Sequence, residues 1–431
     1  MTWQPDCERI DREELEQLQL ERLEATLSRV YRNVPFYRRR FDEIGFDPDD
    51  LRSLADLRRL PFTSKQDFRE NHPYGLFAVP LRDVVRVHAS SGTTGLATAV
   101  GYTRNDLKTW ADLTARVLVA GGVGKDDVVQ VAFDYGLFTG AFGFHHGAER
   151  LGASVIPVSS ASARRQIQIM QDYRSTALVT TPSHALALAD AMIEGQVNRN
   201  ALALRYGLFG AEPWSESMRR ELEEKLRVVA TDNYGLSEVM GPGVSGECLE
   251  RGGLHVAEDH FLVEVIDPDT LEPVPEGQVG ELVVTTLTRE ALPVIRFRTR
   301  DLTSLSAAPC PCGRTLARMS RVKGRTDDLL LVKGARVFPS EIEAVLFEIE
   351  GTAPHYQIVL ERRSGEDLLR VLVEAEAGPR GAAGERPTLQ AAIARRLAAE
   401  LGVSVDVEVV EPRTLARFEG KARRVVDRRS P

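Results

Sequence analysis

The sequence predicts an α/β protein, with a large N-terminal domain of parallel-rich βαβ sheets plus a β-rich subdomain, and a small mobile α+β C-terminal domain. Three observations carry this. Between Thr103 and Leu226, short strand-like runs alternate with segments of helical length. After Tyr234 the texture changes to short strands separated by turns. Beyond the junction Gly324-Arg325-Thr326-Asp327, a strand–turn–helix pattern starts afresh, which sets the expected domains at residues 1–323 and 324–431.

Each element follows from its local pattern. Leu15, Leu18, Leu23, Leu27 and Val30 recur at helical spacing and predict one long amphipathic helix, ended by Pro35. Val84, Val85 and Val87 form an apolar run that stops at Ser90-Ser91-Gly92-Thr93-Thr94-Gly95, and a second run, Ala97 to Val100, follows. Helices are then predicted from Asp106 to Val119, Phe138 to Leu151, Arg164 to Tyr173, Ser183 to Met192 and Ser215 to Leu226. The strands between them run from Val128 to Phe133, Ala153 to Val158, Ala177 to Thr180 and Leu204 to Phe209. Two strands, His260 to Ile266 and Glu281 to Thr286, flank the turn Asp267-Pro268-Asp269. In the last domain a strand from Leu329 to Val332 meets a Lys333-Gly334 turn and a helix from Ser340. Strands at Gln357 to Leu360 and Leu369 to Glu374, a helix from Leu389 and a strand from Val405 to Val410 complete it.

Of the 431 residues, 43% are hydrophobic and 27% charged, which is ordinary for a soluble globular protein. A net charge of −8 argues against a nucleic-acid or anionic-membrane partner. No run is apolar enough to span a bilayer, and the charged N-terminus lacks a signal-peptide core, so a cytoplasmic location is expected. The four cysteines, Cys7, Cys248, Cys310 and Cys312, are then expected as free, buried or metal-bound thiols.

Five stretches carry chemistry. The Ser90–Gly95 loop has glycines and hydroxyls that can turn N–H and O–H groups toward one polyphosphate, although it lacks the lysine of GxxxxGK[ST]. Asp232-Asn233-Tyr234-Gly235-Leu236-Ser237-Glu238 sets an aromatic ring that can stack on a purine beside a carboxylate that can hold Mg²⁺. Asp301 ends an arginine-rich strand, where it can grip ribose hydroxyls. Gly324-Arg325-Thr326-Asp327 has the look of a hinge with a phosphate-reaching arginine. Lys421, in a basic tail, could be brought to a carboxylate–phosphate junction.

In this order and at these intervals, the motifs resemble one family, the adenylate-forming (acyl-activating) enzymes, and within it the phenylacetate–CoA ligase branch. The stretches that carry the resemblance are HASSGTTG, Tyr135 to Gly152, GAEPWSE (Gly210 to Glu216), YGLSE, EDHF (Glu258 to Phe261), the segment through Asp301, and GARVFPSEIE (Gly334 to Glu343). The resemblance implies a two-step ligase. ATP and a carboxylic acid give an acyl-adenylate and pyrophosphate; the small domain rotates, and the thiol of coenzyme A then attacks.

It also implies roles. Ser90, Ser91, Gly92, Thr93, Thr94 and Gly95 would hold the β/γ-phosphates, with Thr93 among the catalytic groups. Tyr234 would stack on adenine and Glu238 would bind Mg²⁺, while Glu212, Gly235 and Ser237 complete the nucleotide site. Asp301 would bind ribose, Arg325 ribose or phosphate, and Asp327 would be the hinge. Lys421 would serve adenylation, and Lys333 and Gly334 would line the pantetheine path. Tyr135, Phe142, Phe144, His145, Gly210 and Ala211 would form the acid site, where Asp134 and His145 could bond ring substituents.

Two departures from the branch stand out. Leu96-Ala97 replace its usual lysine and proline, which should weaken the grip on pyrophosphate. Phe142 and Phe144 add aromatic bulk, which points to an acid shorter than phenylacetate, such as benzoate or a hydroxy- or aminobenzoate. Some members of the branch carry a structural zinc, and Cys248, His255, Cys310 and Cys312 offer three thiolates and one imidazole for one here. The expected function is an ATP-dependent aryl-acid–CoA ligase using ATP, Mg²⁺ and coenzyme A; a homodimer is compatible with it. Two other readings stay open: a stand-alone adenylation enzyme that loads a carrier protein, and a catalytically silent nucleotide-binding regulatory protein.

Overall fold

A computed structural model describes residues 1–90, 97–363, 366–376, 384–416 and 424–429. The sequence-predicted site residues Ser91, Gly92, Thr93, Thr94, Gly95 and Lys421, and also Leu96, lie outside these. The chain divides into two compact units. One holds residues 1–180, 198–211 and 228–321, and the other 181–197, 212–227 and 322–431.

The first unit opens with α1 (Pro5–Glu8) and α2 (Arg12–Asn33). Asp11 caps α2 by accepting from the Glu13 N–H, and Leu15, Leu23, Leu27 and Val30 form its buried stripe. Leu18 is only half-buried, and Gln19 takes the buried position beside it. Pro35 does more than end α2, because it starts a further helix, α3 (Pro35–Glu43), at the one place where a missing N–H is harmless. A short helix α4 (Lys65–Glu70) follows, capped by Ser64 with Asp67.

Strands β1 (Arg86–Ala89) and β2 (Ala99–Tyr102) pair antiparallel on either side of the glycine-rich loop, with His88 opposite Val100. Helix α5 (Arg104–Ala120) starts earlier than its apolar pattern suggests, because Thr103 and Asp106 close a capping box. Strands β3 (Val128–Val131), β4 (Ser154–Pro157), β5 (Ala177–Thr180), β6 (Tyr206–Gly210) and β7 (Val229–Leu236) alternate with α6 (Gly140–Leu151) and α7 (Ala163–Asp172). They form the parallel half of a nine-stranded sheet, in the order 4-3-5-6-7.

Beyond β7 the same sheet turns antiparallel through β8 (Gly241–Glu247) and β9 (Leu254–Val256). The β-rich part adds β10 (Phe261–Ile266), β11 (Gly280–Thr286) and β12 (Phe297–Thr303), which pair antiparallel in a second sheet. The edge of the first sheet is then built by β13 (Leu305–Ser306) and β14 (Arg318–Met319), the latter pairing Arg318 with His255. Strand β8, Gly-Pro-Gly-Val-Ser-Gly-Glu, reads as a turn in sequence yet is wholly buried. A Cβ on Gly243, at φ +106°, would sit 3.0 Å from Leu113, so the small residues let α5 lie against the strand.

The second unit contains α8 (Pro182–Glu194), α9 (Glu216–Leu226) and the strand β15 (Gly324–Arg325). Its hairpin β16 (Leu330–Val332) and β17 (Ala335–Val337) turns on Lys333 and Gly334, both at positive φ, as a two-residue primed turn requires. Helices α10 (Pro339–Glu348) and α11 (Arg386–Leu401) share a core with the sheet of β18 (Thr352–Arg363), β19 (Glu366–Ala375), β20 (Val405–Val410) and β21 (Val425–Asp427). That sheet runs 20-19-18-21. Among the described residues, no helix is long and apolar enough to cross a membrane.

Candidate active site

Tyr234 stands near the end of β7, at a break in register where Tyr234 faces Ser245 but Gly235 faces Pro242. A Cβ on Gly235 would lie 1.9 Å from the Gly241 carbonyl oxygen, so only glycine fits. The break leaves Tyr234 half-buried, and its hydroxyl donates to Asp301 Oδ2 at 2.5 Å. Asp301 lies in β12, is 4% exposed, and its N–H donates to Thr299 Oγ1. Two residues 67 positions apart thus meet in one place.

Two more motif residues complete the cluster. Ser237 Oγ shares a hydrogen bond with Thr139 Oγ1 at 2.9 Å, which ties the turn to the start of α6. Glu238 is 3% exposed, and its Oε1 has no hydrogen-bond partner among the described residues; Lys65 Nζ, at the head of α4, lies 3.8 Å away. A buried carboxylate oxygen with one distant cation fits a Mg²⁺ ligand. Neither Lys65 nor Thr139 is picked out by sequence reading. The Ser64–Asp67 capping signal in front of the first is the trace that could have shown it.

At the loop itself only Ser90 is described, and its N–H donates to the Thr98 carbonyl. Near the expected acid site, Tyr135 Oη and His145 Nδ1 are 3.1 Å apart, and the Tyr135 and Phe142 rings meet edge-on at 5.2 Å. Burial pushes the Tyr135 hydroxyl well above its ordinary pKa. Asp134 Oδ1 accepts from Ser159, and His145 Nε2 lies 3.2 Å from Glu149.

Phe144 is 1% exposed and stacks on Phe133, in a core cluster against which Tyr135 and Ala211 pack. Gly210 lies against Asn233, where a Cβ would come within 2.3 Å of the carbonyl oxygen, and Ala211 holds φ +69°.

In the second unit, Glu212 Oε1 accepts from the Ser183 N–H at 2.7 Å. Arg325 forms a two-pronged pair with Asp327 at 2.8 and 3.0 Å. Lys333 Nζ lies 3.3 Å from Glu366.

The cysteine set does come together. Cys248 follows β8, His255 lies in β9, and Cys310 and Cys312 stand on the loop into β14, which pairs with β9. The ligand atoms of all four lie within 4.8 Å of one another, with Cys248 and Cys310 sulfurs 3.7 Å apart and Cys312 Sγ 3.4 Å from His255 Nε2. Tetrahedral zinc with bonds of about 2.3 Å sets sulfurs roughly 3.8 Å apart, so the donor set fits zinc. His255 Nδ1 sits 3.4 Å from the Leu316 carbonyl, which leaves Nε2 for a metal. Burial, reinforced by the neighbouring Cys312 and Cys310 sulfurs, pushes the Cys248 thiol up to about 12, so a thiolate there calls for a cation. Burial also opposes the charged form of Cys312, but hydrogen bonds from Arg314 bring its pKa below the ordinary value.

Comparison with known proteins places these features in context. Residues 47–287 match the model of the AMP-binding enzyme family, and residues 334–429 match that of the AMP-binding enzyme C-terminal domain. The phenylacetate-coenzyme A ligase of Thermus thermophilus is 48% identical over 444 residues, covering 100% of both chains. That of Escherichia coli is 48% identical over 97% of this chain and 96% of its own. A crystal structure of 2-hydroxyisobutyryl-CoA ligase in the postadenylation state, bound to 2-HIB-AMP, superposes with a TM-score of 0.92 at 32% identity, covering 99% of this chain and 92% of the other.

Proposed function

The chain belongs to the AMP-binding enzyme family, in its phenylacetate–CoA ligase branch, and is an AMP-forming acid–CoA ligase; from this premise we propose that it activates an aryl acid of the phenylacetate class. A carboxylate oxygen attacks the α-phosphorus of ATP, and the bond to pyrophosphate breaks. The coenzyme A sulfur then attacks the acyl carbon and displaces AMP, giving the thioester. Converting a carboxylate oxygen into part of a phosphate leaving group is what makes the carbonyl electrophilic.

The observation that carries the reading is the Tyr234–Asp301 bond, together with the buried Glu238 oxygen that has no hydrogen-bond partner among the described residues. Tyr234 would offer its ring to adenine and Asp301 its carboxylate to the ribose. Glu238 would hold Mg²⁺, whose positive charge would offset that of the phosphates. Ser90 to Gly95 would cradle the phosphates, and Lys421 would stabilise charge developing during adenylation. Lys333 and Gly334 would serve the thiol step. A domain division at residues 323 and 324 would let the C-terminal part change position between the two steps. Cys248, His255, Cys310 and Cys312 would hold a structural zinc away from the chemistry.

Phenylacetate is preferred over a shorter benzoate, because the full-length relatives are phenylacetate ligases. Acid-dependent ATP–pyrophosphate exchange, followed by thioester formation with free coenzyme A, tests the reading. Phenylacetate should support both. Exchange without coenzyme A thioester would point instead to a carrier-protein acceptor, and no exchange with any aryl acid would overturn the proposal.

A further inference from the structure

Three buried polar atoms near the expected acid site have no task in the chemistry above. Arg86 and His88 are two apart on β1, so their side chains leave the same face of the strand. Phe142 and His146 are four apart on α6 and share a helix face. These faces meet. Arg86 Cζ lies 5.1 Å over the Phe142 ring, the His88 ring meets it edge-on at 5.4 Å, and His146 stacks on it at 6.1 Å. Arg86 Nη1, His88 Nε2 and His146 Nε2 are buried there without a hydrogen-bond partner among the described residues. His88 is 2% exposed, enclosed by Tyr102 and Trp110 at 5.5 and 5.9 Å. Native interiors leave few such atoms unmet, and three around one ring call for an explanation.

The opposite nitrogen of each imidazole fixes what its Nε2 can do. His88 Nδ1 lies 3.1 Å from the Leu137 carbonyl oxygen, which only accepts, so Nδ1 carries the proton. His146 Nδ1 lies 3.1 Å from the Glu149 carboxylate and carries its proton likewise. Burial holds the His88 pKa down at about 4 and lowers that of His146, so both rings are neutral at pH 7. Each Nε2 is therefore a lone-pair acceptor, while Arg86 Nη1 is a donor.

We propose that Arg86, His88 and His146 form a subsite around Phe142 for a hydroxyl group on the ring of the aryl acid. This rests on the aryl-acid reading above, and Tyr135, whose ring touches Phe142, joins the subsite to the expected acid site. A hydroxyl answers both kinds of atom, giving its proton to one imidazole and accepting from the guanidinium, and leaves only the other Nε2 unmet. A carboxylate would set its oxygens against two lone pairs. An amine would leave the Arg86 donor unmet.

The test compares kcat/KM for thioester formation with phenylacetate and with its ring-hydroxylated, aminated and carboxylated analogues. The wild type should favour a hydroxylated isomer over phenylacetate by about tenfold or more. That ratio should fall to near one in Arg86→Met and in His88→Phe, while His88→Gln, whose amide oxygen can still accept, should keep part of it. Phenylacetate turned over as well as every hydroxylated isomer by the wild type would overturn the subsite alone, and this arm decides even if the variants do not fold. An unchanged ratio in folded Arg86→Met and His88→Phe, or a carboxylated analogue winning, would overturn it too. No turnover of any acid would overturn the aryl-acid reading, and the subsite with it.

Discussion

The Tyr234 hydroxyl donates to Asp301 Oδ2 at 2.5 Å, joining the end of β7 in one sheet to β12 in the other. The bond positions a ring and a carboxylate together, yet the two have separable tasks. Asp301→Ala should raise the KM for ATP by about tenfold in pyrophosphate exchange, since it removes binding made equally in ground and transition states. Tyr234→Phe keeps the ring and should change KM much less. Equal effects from both variants would tie function to the bond itself rather than to the carboxylate.

Gly235 sits where a side chain has no room, with the nearest obstacle a backbone oxygen that cannot swing aside. Gly235→Ala should therefore cost about 2 kcal/mol or more in urea unfolding, and exchange activity should fall with it. An alanine variant of unaltered stability would show that the register break relaxes freely.

Lys421 is assigned from sequence. Lys421→Ala should lower adenylation on the order of a hundredfold while thiol attack on supplied acyl-adenylate continues. Loss of both half-reactions together would give the lysine a broader task than the first step.

Metal analysis should find about one zinc per chain, held by three thiolates and one imidazole. Cys310→Ser should release it and lower the unfolding temperature, because Cys248 would then keep its proton in a buried site. A protein that is stable and free of zinc as isolated would refute the site.

His88 supplies a pH dependence whose sign is fixed by burial. Its folded pKa of about 4 lies below the ordinary 6.5, so between these values the unfolded chain binds more protons. The stability it contributes is complete above pH 6.5 and is lost as pH falls toward 4, amounting to about 3 kcal/mol at most. Urea midpoints measured from pH 7.5 down to 4.5 should decline, and His88→Phe should flatten that slope.

The parallel half of the large sheet was legible because its strands are short apolar runs, most of them β-branched, between amphipathic helices. Val405–Val410 and Ala177–Thr180 fall where their patterns place them. Strand β8 was not legible, since glycine and proline at 241–243 signal a turn, and only packing against α5 holds them extended. Strand β18 runs from Thr352 to Arg363, well past the apolar core at Gln357–Leu360, because its neighbours supply a ladder that local propensity does not reveal. In the site, Tyr234, Glu238 and Asp301 could be named from motif residues. Lys65, Thr139 and His88 could not, because each matters only through a partner distant in sequence.

Glu8 is 1% exposed and binds Arg314, itself 4% exposed and two residues past Cys312, across 306 positions of sequence. During synthesis the first of these leaves the ribosome long before the second exists. Until then the N-terminal segment has a carboxylate that it cannot bury without cost, and so it waits in water. Settling of the amino end is thereby deferred until most of the polypeptide has emerged, and a product cut short before Arg314 would keep that end loose, open to proteases that a finished chain resists.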